Sequence, residues 1–331
     1  MKQRPGDCLN LTQEERMRGK AKRLAIFMVV VCAVLAPVMA GALTFDRMVV
    51  FGTSLSDPGN AYALTGLVSK PPYDTLDNLL VPDAAYARGG HHFSNGATWV
   101  EQYARSIGLA GSTRPAFRTA DGLAANYAVG GARAREDGLN MNLASQVQAF
   151  LADFPEVPAN ALYVVEMGSN DIRDALLADP DSVLEGALTA IAAAMFDLYD
   201  AGARKFLVLN GPDISLTPAV LQLDAVMPGT AWYARQLSSF FNEELEELLV
   251  YLETTLPGID IRRLDMFGQL NEYAADPESF GLSEVAAACV SPNIAPFACQ
   301  EPDAYLFWDG VHPSRAVHAI FAREAARVLA E

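Results

Sequence analysis

Apolar runs and amphipathic stretches alternate along the chain and predict its elements. Short apolar runs, most of them ending at glycine or Asn-Gly, predict buried strands at 45–51, 124–129, 161–167, 205–209 and 259–264. Stretches with helical periodicity follow at 98–107, 143–150, 181–199, 231–255 and 313–329. Buried strands that alternate with such helices predict an α/β fold, with a mostly parallel five-stranded sheet covered on both faces.

Polar and glycine residues collect where these strands end. Thr53 and Ser54 follow the first strand, Gly130 and Gly131 follow the second, and Asn170 lies just beyond the third. Ligands of such sheets bind at the carboxyl ends of the strands. The sequence therefore predicts a site at this edge, although glycine alone carries little weight because strand ends also need turns.

Ser54 is the candidate nucleophile. A serine in the turn after a buried strand can lie at a helix N-terminus, where backbone N–H groups stabilise a developing oxyanion. The alternative is a helix-capping serine, a role that Ser56 also fits. Ser56 stands where the α/β-hydrolase elbow G-x-S-x-G has its second glycine, so that fold is not indicated.

The segment Asp309-Gly-Val-His312-Pro313 supplies a candidate base. A serine hydroxyl becomes a strong nucleophile only when a base takes its proton, and the ordinary pKa of histidine suits that task. An acid three residues earlier can fold back and hold the imidazole tautomer. The alternative is a turn aspartate followed by a histidine near the start of the last helix, with Pro313 in its first turn.

Two further groups could stabilise an oxyanion at the same edge. The Asn170 side chain can donate a hydrogen bond without carrying charge, although an Asn or Asp there could instead cap the next helix. A backbone N–H of Gly130 or Gly131 could donate as well, because glycine permits close approach and unusual φ angles.

The first 42 residues have the pattern of a secretory signal peptide. A basic stretch precedes the apolar run 24–38, and small residues follow at 40–42. The alternative, an uncleaved membrane anchor, is disfavoured because a span needs about 20 apolar residues. We therefore expect residues 1–42 to be an N-terminal extension and signal peptide. Residues 43–331 are predicted to form a single domain, secreted or periplasmic, with no stable membrane span after processing.

Net charge and cysteine content limit which binding partners, disulfides and metal sites are expected. The formal net charge of −16 disfavours nucleic acid and broad docking on anionic membranes. Cys289 and Cys299 follow the targeting segment, and a disulfide between them is expected in an oxidising compartment, with two free thiols as the alternative. No Cys/His cluster has the spacing of zinc ligands, so no metal is predicted.

Five segments, in order, resemble the conserved blocks of the SGNH/GDSL hydrolase family. FGTSLSDPGN resembles the first block, usually F-G-D-S-L-S-D-x-G-N, while NYAVGGA, GSND and DGVHPS resemble the second, third and fifth. HHFSNGATWVE is similar to the F-S-N-G segment of the plant lipase and bacterial lecithinase/hemolysin-like branches, which include phospholipases and lipases. Each block alone is weak evidence for the family. Their occurrence in the family's order, in a chain that the resemblance covers from Phe45 to near the C-terminus, is strong evidence.

The resemblance implies a flavodoxin-like three-layer α/β/α fold that needs no cofactor. It implies Ser54 as nucleophile, His312 as its base, and Asp309 as the residue that orients the histidine. The oxyanion hole would consist of the N–H groups of Ser54 and Gly131 and the side chain of Asn170.

One position departs from the family pattern. Thr53 stands where the family usually has an aspartate that helps to hold the oxyanion loop. Threonine keeps a hydrogen bond but not the charge, so we expect activity to survive and Thr53→Asp to preserve it. Thr53 and Asn95 are predicted at the site rim.

The sequence thus predicts a secreted serine ester hydrolase acting on lipid or other carboxylic esters, a lipase, phospholipase or esterase. Its partner would be a small-molecule or lipid ester. Alternatives on the same fold are a carbohydrate O-acetylesterase and an acyltransferase in which an alcohol replaces water. A non-catalytic secreted binding protein is a further alternative. What argues against it is the intact set of candidate site residues: Ser54, Asn170, Asp309 and His312.

Overall fold

A computed structural model describes residues 45–118 and 122–331. These residues belong to one compact unit. The predicted extension and signal peptide, residues 1–42, lie outside the described residues, so the boundary at residue 42 stays a prediction.

Four parallel strands form the central sheet. They are β1 Arg47–Gly52, β2 Ala161–Glu166, β3 Lys205–Leu209 and β4 Asp260–Leu264, in the spatial order β1-β2-β3-β4. The register aligns Gly52 with Glu166, and Glu166 with Leu209. The carboxyl ends of the strands therefore lie at one edge, and the segments that follow β1 and β2 start beside each other.

The second predicted strand is not a regular strand. Residues 124–129 run beside β1, where Val50 N–H donates to Ala125 O at 2.9 Å and Tyr127 N–H donates to Val50 O at 2.8 Å. Only an isolated bridge, Val50 with Asn126, results. On its other side this segment meets the loop of Ser112 and Ala116, so no ladder extends there. The sheet has four regular strands rather than five. When the extended segment 124–129 is counted as the second strand along the chain, the spatial order becomes 2-1-3-4-5, which is the flavodoxin-like order.

Helices cover both faces of the sheet. They are α1 Asn60–Thr65, α2 Trp99–Ser106, α3 Leu143–Asp153, α4 Ser169–Ala175, α5 Pro180–Asp200, α6 Pro218–Val226, α7 Thr230–Thr255, α8 Met266–Ala275 and α9 Arg315–Val328. Helices α3, α5 and α7 pack with Val49, Tyr163 and Val208 in one core. Helices α2, α8 and α9 pack with Val50 and Leu207 in the other. Alternate residues of each strand thus face opposite helical layers, which gives the α/β/α sandwich.

A second, two-stranded parallel sheet lies near the C-terminus. Its strands are β5 Glu284–Ala288 and β6 Tyr305–Phe307, and short 3₁₀ turns lie at Ile214–Leu216, Pro277–Phe280 and Pro302–Ala304. The last helix begins at Arg315 rather than Pro313, because the Ser314 side chain accepts a hydrogen bond from Val317 N–H and caps it.

Within the described residues, one helix is long and apolar enough to cross a membrane by length and composition alone. This helix is α5, and Leu184, Ile191, Met195 and Leu198 on its apolar side lie in the core beside the sheet. We interpret α5 as a core helix, because a face buried in the protein cannot contact lipid.

Candidate active site

Ser54 and His312 meet at the carboxyl edge of the sheet. Ser54 lies in the tight turn after β1, and its Oγ is 2.8 Å from His312 Nε2. The chain positions are 258 residues apart, so the fold alone creates this contact. Both residues keep a small opening to solvent, with 8% of Ser54 and 6% of His312 exposed. A substrate can therefore reach the hydroxyl while its surroundings stay largely dry.

Asp309 holds the other side of the imidazole. His312 Nδ1 lies 2.8 Å from Asp309 Oδ2 and 3.0 Å from Oδ1. The backbone N–H groups of Val311 and His312 also donate to Oδ1, at 2.9 and 2.8 Å. These donors satisfy and orient the carboxyl oxygens, which matters because Asp309 is fully buried. With Nδ1–H donating to Asp309, Nε2 is the atom that can accept the Ser54 proton.

Tyr86 completes the surroundings of Asp309, and the sequence did not reveal it. Its hydroxyl donates to Asp309 Oδ2 at 2.8 Å across 223 positions of sequence. Burial and the neighbouring Asp309 raise the pKa of Tyr86, so it remains a proton donor. The ring packs edge-on against Trp308 and Tyr73. No local motif marks this tyrosine, because its role depends on a contact with the far end of the chain.

Three hydrogen-bond donors around Ser54 have no partner among the described residues. They are the N–H of Ser54, the N–H of Gly131 and one of the two amide hydrogens of Asn170, whose other hydrogen is donated to Ala132 O at 2.9 Å. Gly130 N–H is not available, because it donates to Asp57 Oδ2 at 2.8 Å. Gly131, with φ at +80°, is therefore the glycine whose N–H fits the predicted oxyanion hole.

Glycine is required where Asn170 enters the site. Gly168 caps α4 with φ at +109°, and a Cβ there would lie 2.3 Å from the ring of Phe241. Only a residue without a side chain allows this turn. The turn places Asn170 in the first turn of α4, beside the loop of Gly131.

Thr53 is not at the rim. It is fully buried beneath the nucleophile turn, where its N–H donates to Glu166 Oε2 at 2.9 Å and its hydroxyl lies 2.9 Å from Oε1. Burial raises the pKa of Glu166 to about 7. The chain thus has a carboxyl group under the oxyanion loop, but it comes from the end of β2. The sequence signal that could have revealed Glu166 is its position as the lone acidic residue in the apolar run ALYVVEM.

Asn95 is likewise not among the residues that line the cleft. Its Oδ1 accepts a hydrogen bond from Arg315 N–H at 2.7 Å. This contact ties the F-S-N-G segment to the start of α9, directly after His312. Phe93 of the same segment lies against the imidazole, with ring centroids 5.4 Å apart. Asn95 therefore supports the position of the histidine segment.

A cleft opens in front of Ser54 and His312. It encloses about 830 Å³ of empty space, its open mouth included. Most lining side chains are apolar, among them Leu79, Val81, Leu176, Ile214, Val220, Leu223, Leu270 and Phe307. Across residues 45–118 and 122–331, no three metal-ligating side chains are grouped to hold an ion.

Cys289 and Cys299 form a disulfide. Cys289 N–H donates to Phe307 O at 3.1 Å, and Val290 N–H donates to Trp308 O at 2.9 Å. The bonded loop thus lies against the strand that leads into Asp309.

Comparison with known proteins agrees with this geometry. The family model of the GDSL-like Lipase/Acylhydrolase matches residues 48–325. The chain belongs to this family. A GDSL esterase/lipase of Arabidopsis thaliana is 25% identical, over 83% of this chain and 82% of its own length. Another from the same plant is also 25% identical, over 86% of this chain and 89% of its own. The chain is accordingly a carboxylic ester hydrolase with the SGNH fold.

Proposed function

We propose that Ser54, His312 and Asp309 hydrolyse carboxylic esters by two-step acyl transfer. The observation that carries the proposal is the 2.8 Å contact between Ser54 Oγ and His312 Nε2. Asp309, on the opposite ring nitrogen, fixes the tautomer that can accept a proton and stabilises the imidazolium that results.

Acylation begins when His312 Nε2 takes the Ser54 proton and Ser54 Oγ attacks the ester carbonyl. The carbonyl electrons move onto oxygen, where the N–H groups of Ser54 and Gly131 and the Asn170 amide donate hydrogen bonds. The intermediate then collapses, and the leaving alcohol takes the proton from Nε2. Water repeats the sequence on the acyl-serine and releases the acid, which restores the free hydroxyl.

Kinetics of two variants test this assignment. Ser54→Ala and His312→Ala should each lower kcat on a 4-nitrophenyl ester by roughly 10⁴-fold or more, since the residues act as one unit. The double variant should be no slower than the slower single variant. Turnover by clean Ser54→Ala protein at the wild-type rate would refute the proposal.

We further propose that the acyl part of the substrate is longer than acetyl, as in a lipid ester. The apolar lining of the cleft supports this, because an acetyl group would leave most of that surface in contact with water. The resemblance to the lecithinase/hemolysin-like branch agrees. A series of 4-nitrophenyl esters from acetate to dodecanoate should show kcat/KM rising beyond acetate. A maximum at acetate would favour the O-acetylesterase alternative, and a faster reaction with added alcohol would favour the acyltransferase.

Secretion or export to the periplasm is part of the same proposal. Residues 1–42 have the pattern of a cleaved signal, and the Cys289–Cys299 disulfide suits an oxidising compartment. Expression of the full chain in a Gram-negative host should yield a processed protein that begins near residue 43 outside the cytoplasm. An unprocessed cytoplasmic product would contradict it.

A further inference from the structure

Among the residues that the structure describes, Arg173 is the one charged side chain that lines the cleft. It lies on α4, three residues after Asn170, and faces the same space as Ser54 and His312. Residues three apart on a helix are neighbours, with Cβ atoms about 5–6 Å apart. The Arg173 side chain thus starts about one helical turn from Asn170, a donor of the predicted oxyanion hole.

No described residue forms a hydrogen bond or ion pair with the Arg173 side chain. The carboxylate of Asp174 already forms ion pairs with two other arginines. Its Oδ1 lies 2.9 Å from Arg133 Nη2, and its Oδ2 lies 2.6 Å from Arg135 Nη2. Asp171 is fully buried and accepts Ala134 N–H at 2.9 Å. The acids next to Arg173 in sequence therefore form no hydrogen bond or ion pair with it, although Asp174 acts on its charge through space.

Asp77 is the remaining acid that influences Arg173, and it acts through space without contact. Its Oδ1 accepts the N–H groups of Leu79 and Val81, at 2.8 and 3.0 Å. Burial and the neighbouring Arg133 lower the pKa of Arg173. The side chain still keeps its charge, as arginine does in proteins. The charged guanidinium of Arg173 thus lies in a largely apolar cleft without a hydrogen-bond or ion-pair partner among the described residues.

We propose that Arg173 binds an anionic group, a carboxylate or a phosphate, carried by the ester substrate. A half-buried charge is unfavourable unless it is paired, and the planar guanidinium matches both oxyanions with two parallel hydrogen bonds. The anion would lie within a few bonds of the ester carbonyl. This inference rests on the proposed function and adds a requirement on the substrate.

Two matched substrate pairs test the proposal. The first places a carboxylate on the acyl side, with mono-4-nitrophenyl glutarate against 4-nitrophenyl valerate. The second places a phosphate on the alcohol side, with a 1-acylglycerol 3-phosphate against the 1-acylglycerol of the same chain length. The quantity measured is the ratio of kcat/KM for the anionic substrate to that for its neutral partner. The pair that responds identifies where the anion lies.

Wild-type protein is compared with Arg173→Gln, Arg173→Lys and a control, Arg323→Gln. The control removes the same charge from an exposed position on α9. Arg173→Gln should lower the ratio for at least one pair by about 10- to 100-fold, chiefly through KM, as expected for a hydrogen bond to a charged group. Arg173→Lys should retain part of the preference, and Arg323→Gln all of it.

An unchanged ratio for both pairs in folded Arg173→Gln protein would overturn the inference. A ratio that falls equally in Arg323→Gln would also overturn it, because the effect would then come from overall charge. The neutral esters serve as the separate test of the proposed function: their hydrolysis must be lost in Ser54→Ala and retained in Arg323→Gln. Thermal unfolding of each variant shows that the comparison is made on native protein.

Discussion

Asp309 is the residue on which the geometry of the base depends. It accepts hydrogen bonds from His312 on one side and from Tyr86 on the other. The short motif Asp-x-x-His placed Asp309 beside His312, so the sequence was sufficient for that pair. Tyr86 comes from a loop 223 positions away, and no spacing rule reaches across that distance.

Tyr86→Phe should weaken catalysis without abolishing it. The change removes one donor from Asp309 but leaves the ring, so kcat should fall by about 10-fold while KM stays near the wild-type value. Tyr73→Phe is the matched control, because Tyr73 packs on the same ring and does not contact Asp309. Equal kinetics in the two variants would contradict the role given to Tyr86.

Thr53 and Glu166 together change what is expected of Thr53→Asp. From the sequence, an aspartate at this position should preserve activity. In the structure it would lie against the buried carboxyl of Glu166, and two such groups cannot both ionise cheaply. We now expect Thr53→Asp to lower kcat and thermal stability at pH 8. The exchanged pair Thr53→Asp with Glu166→Thr should recover much of both, and no recovery would show that the two positions are independent.

Strands were the most predictable elements. Apolar runs bounded by glycine located β1, β2, β3 and β4 to within two residues at each end. The edge segment 124–129 failed to become a strand because loops occupy its outer side. Helix α6 was missed because it is only nine residues long and carries apolar residues, Leu221 and Val226, on its exposed side as well, which obscures the helical period.

Gly130 packs closely against Phe93, and this contact connects the loop after residues 124–129 to the active site. A Cβ at Gly130 would lie 2.0 Å from the ring of Phe93, which itself packs against His312. Gly130→Ala should therefore displace Phe93, lower the free energy of unfolding by about 1–3 kcal/mol and reduce kcat. Gly111→Ala, where the added Cβ meets nothing within 4 Å, is the control. Denaturant unfolding and kinetics of both variants decide the matter, and equal stability would refute this packing argument.

At the scale of the whole molecule, buried acids set how stability responds to pH. The pKa of Glu166 is raised from 4.5 to about 7 by burial. Because the folded value is the higher one, the native state favours the neutral acid. The contribution of Glu166 to the free energy of unfolding is therefore present in full below pH 4.5. It is lost as the pH rises through 7, by about 3 kcal/mol in all.

Glu166→Gln should remove this part of the pH dependence. The amide keeps the shape and can still accept Thr53 N–H, but it does not ionise. Wild-type protein should lose more stability than the variant between pH 4.5 and 8, while Asp57 and Asp171, whose pKa values are also raised, act equally in both. Denaturant unfolding across this range measures the difference. Parallel curves would contradict the assignment.

The central claim is that Ser54 is a nucleophile activated by His312. Intact-protein and peptide mass spectrometry after reaction with a fluorophosphonate probe tests it most directly. We predict one adduct per chain, located on Ser54 and formed at least 100-fold more slowly in His312→Ala protein. Rapid labelling at another residue, or labelling of Ser54 at an unchanged rate without His312, would contradict the claim.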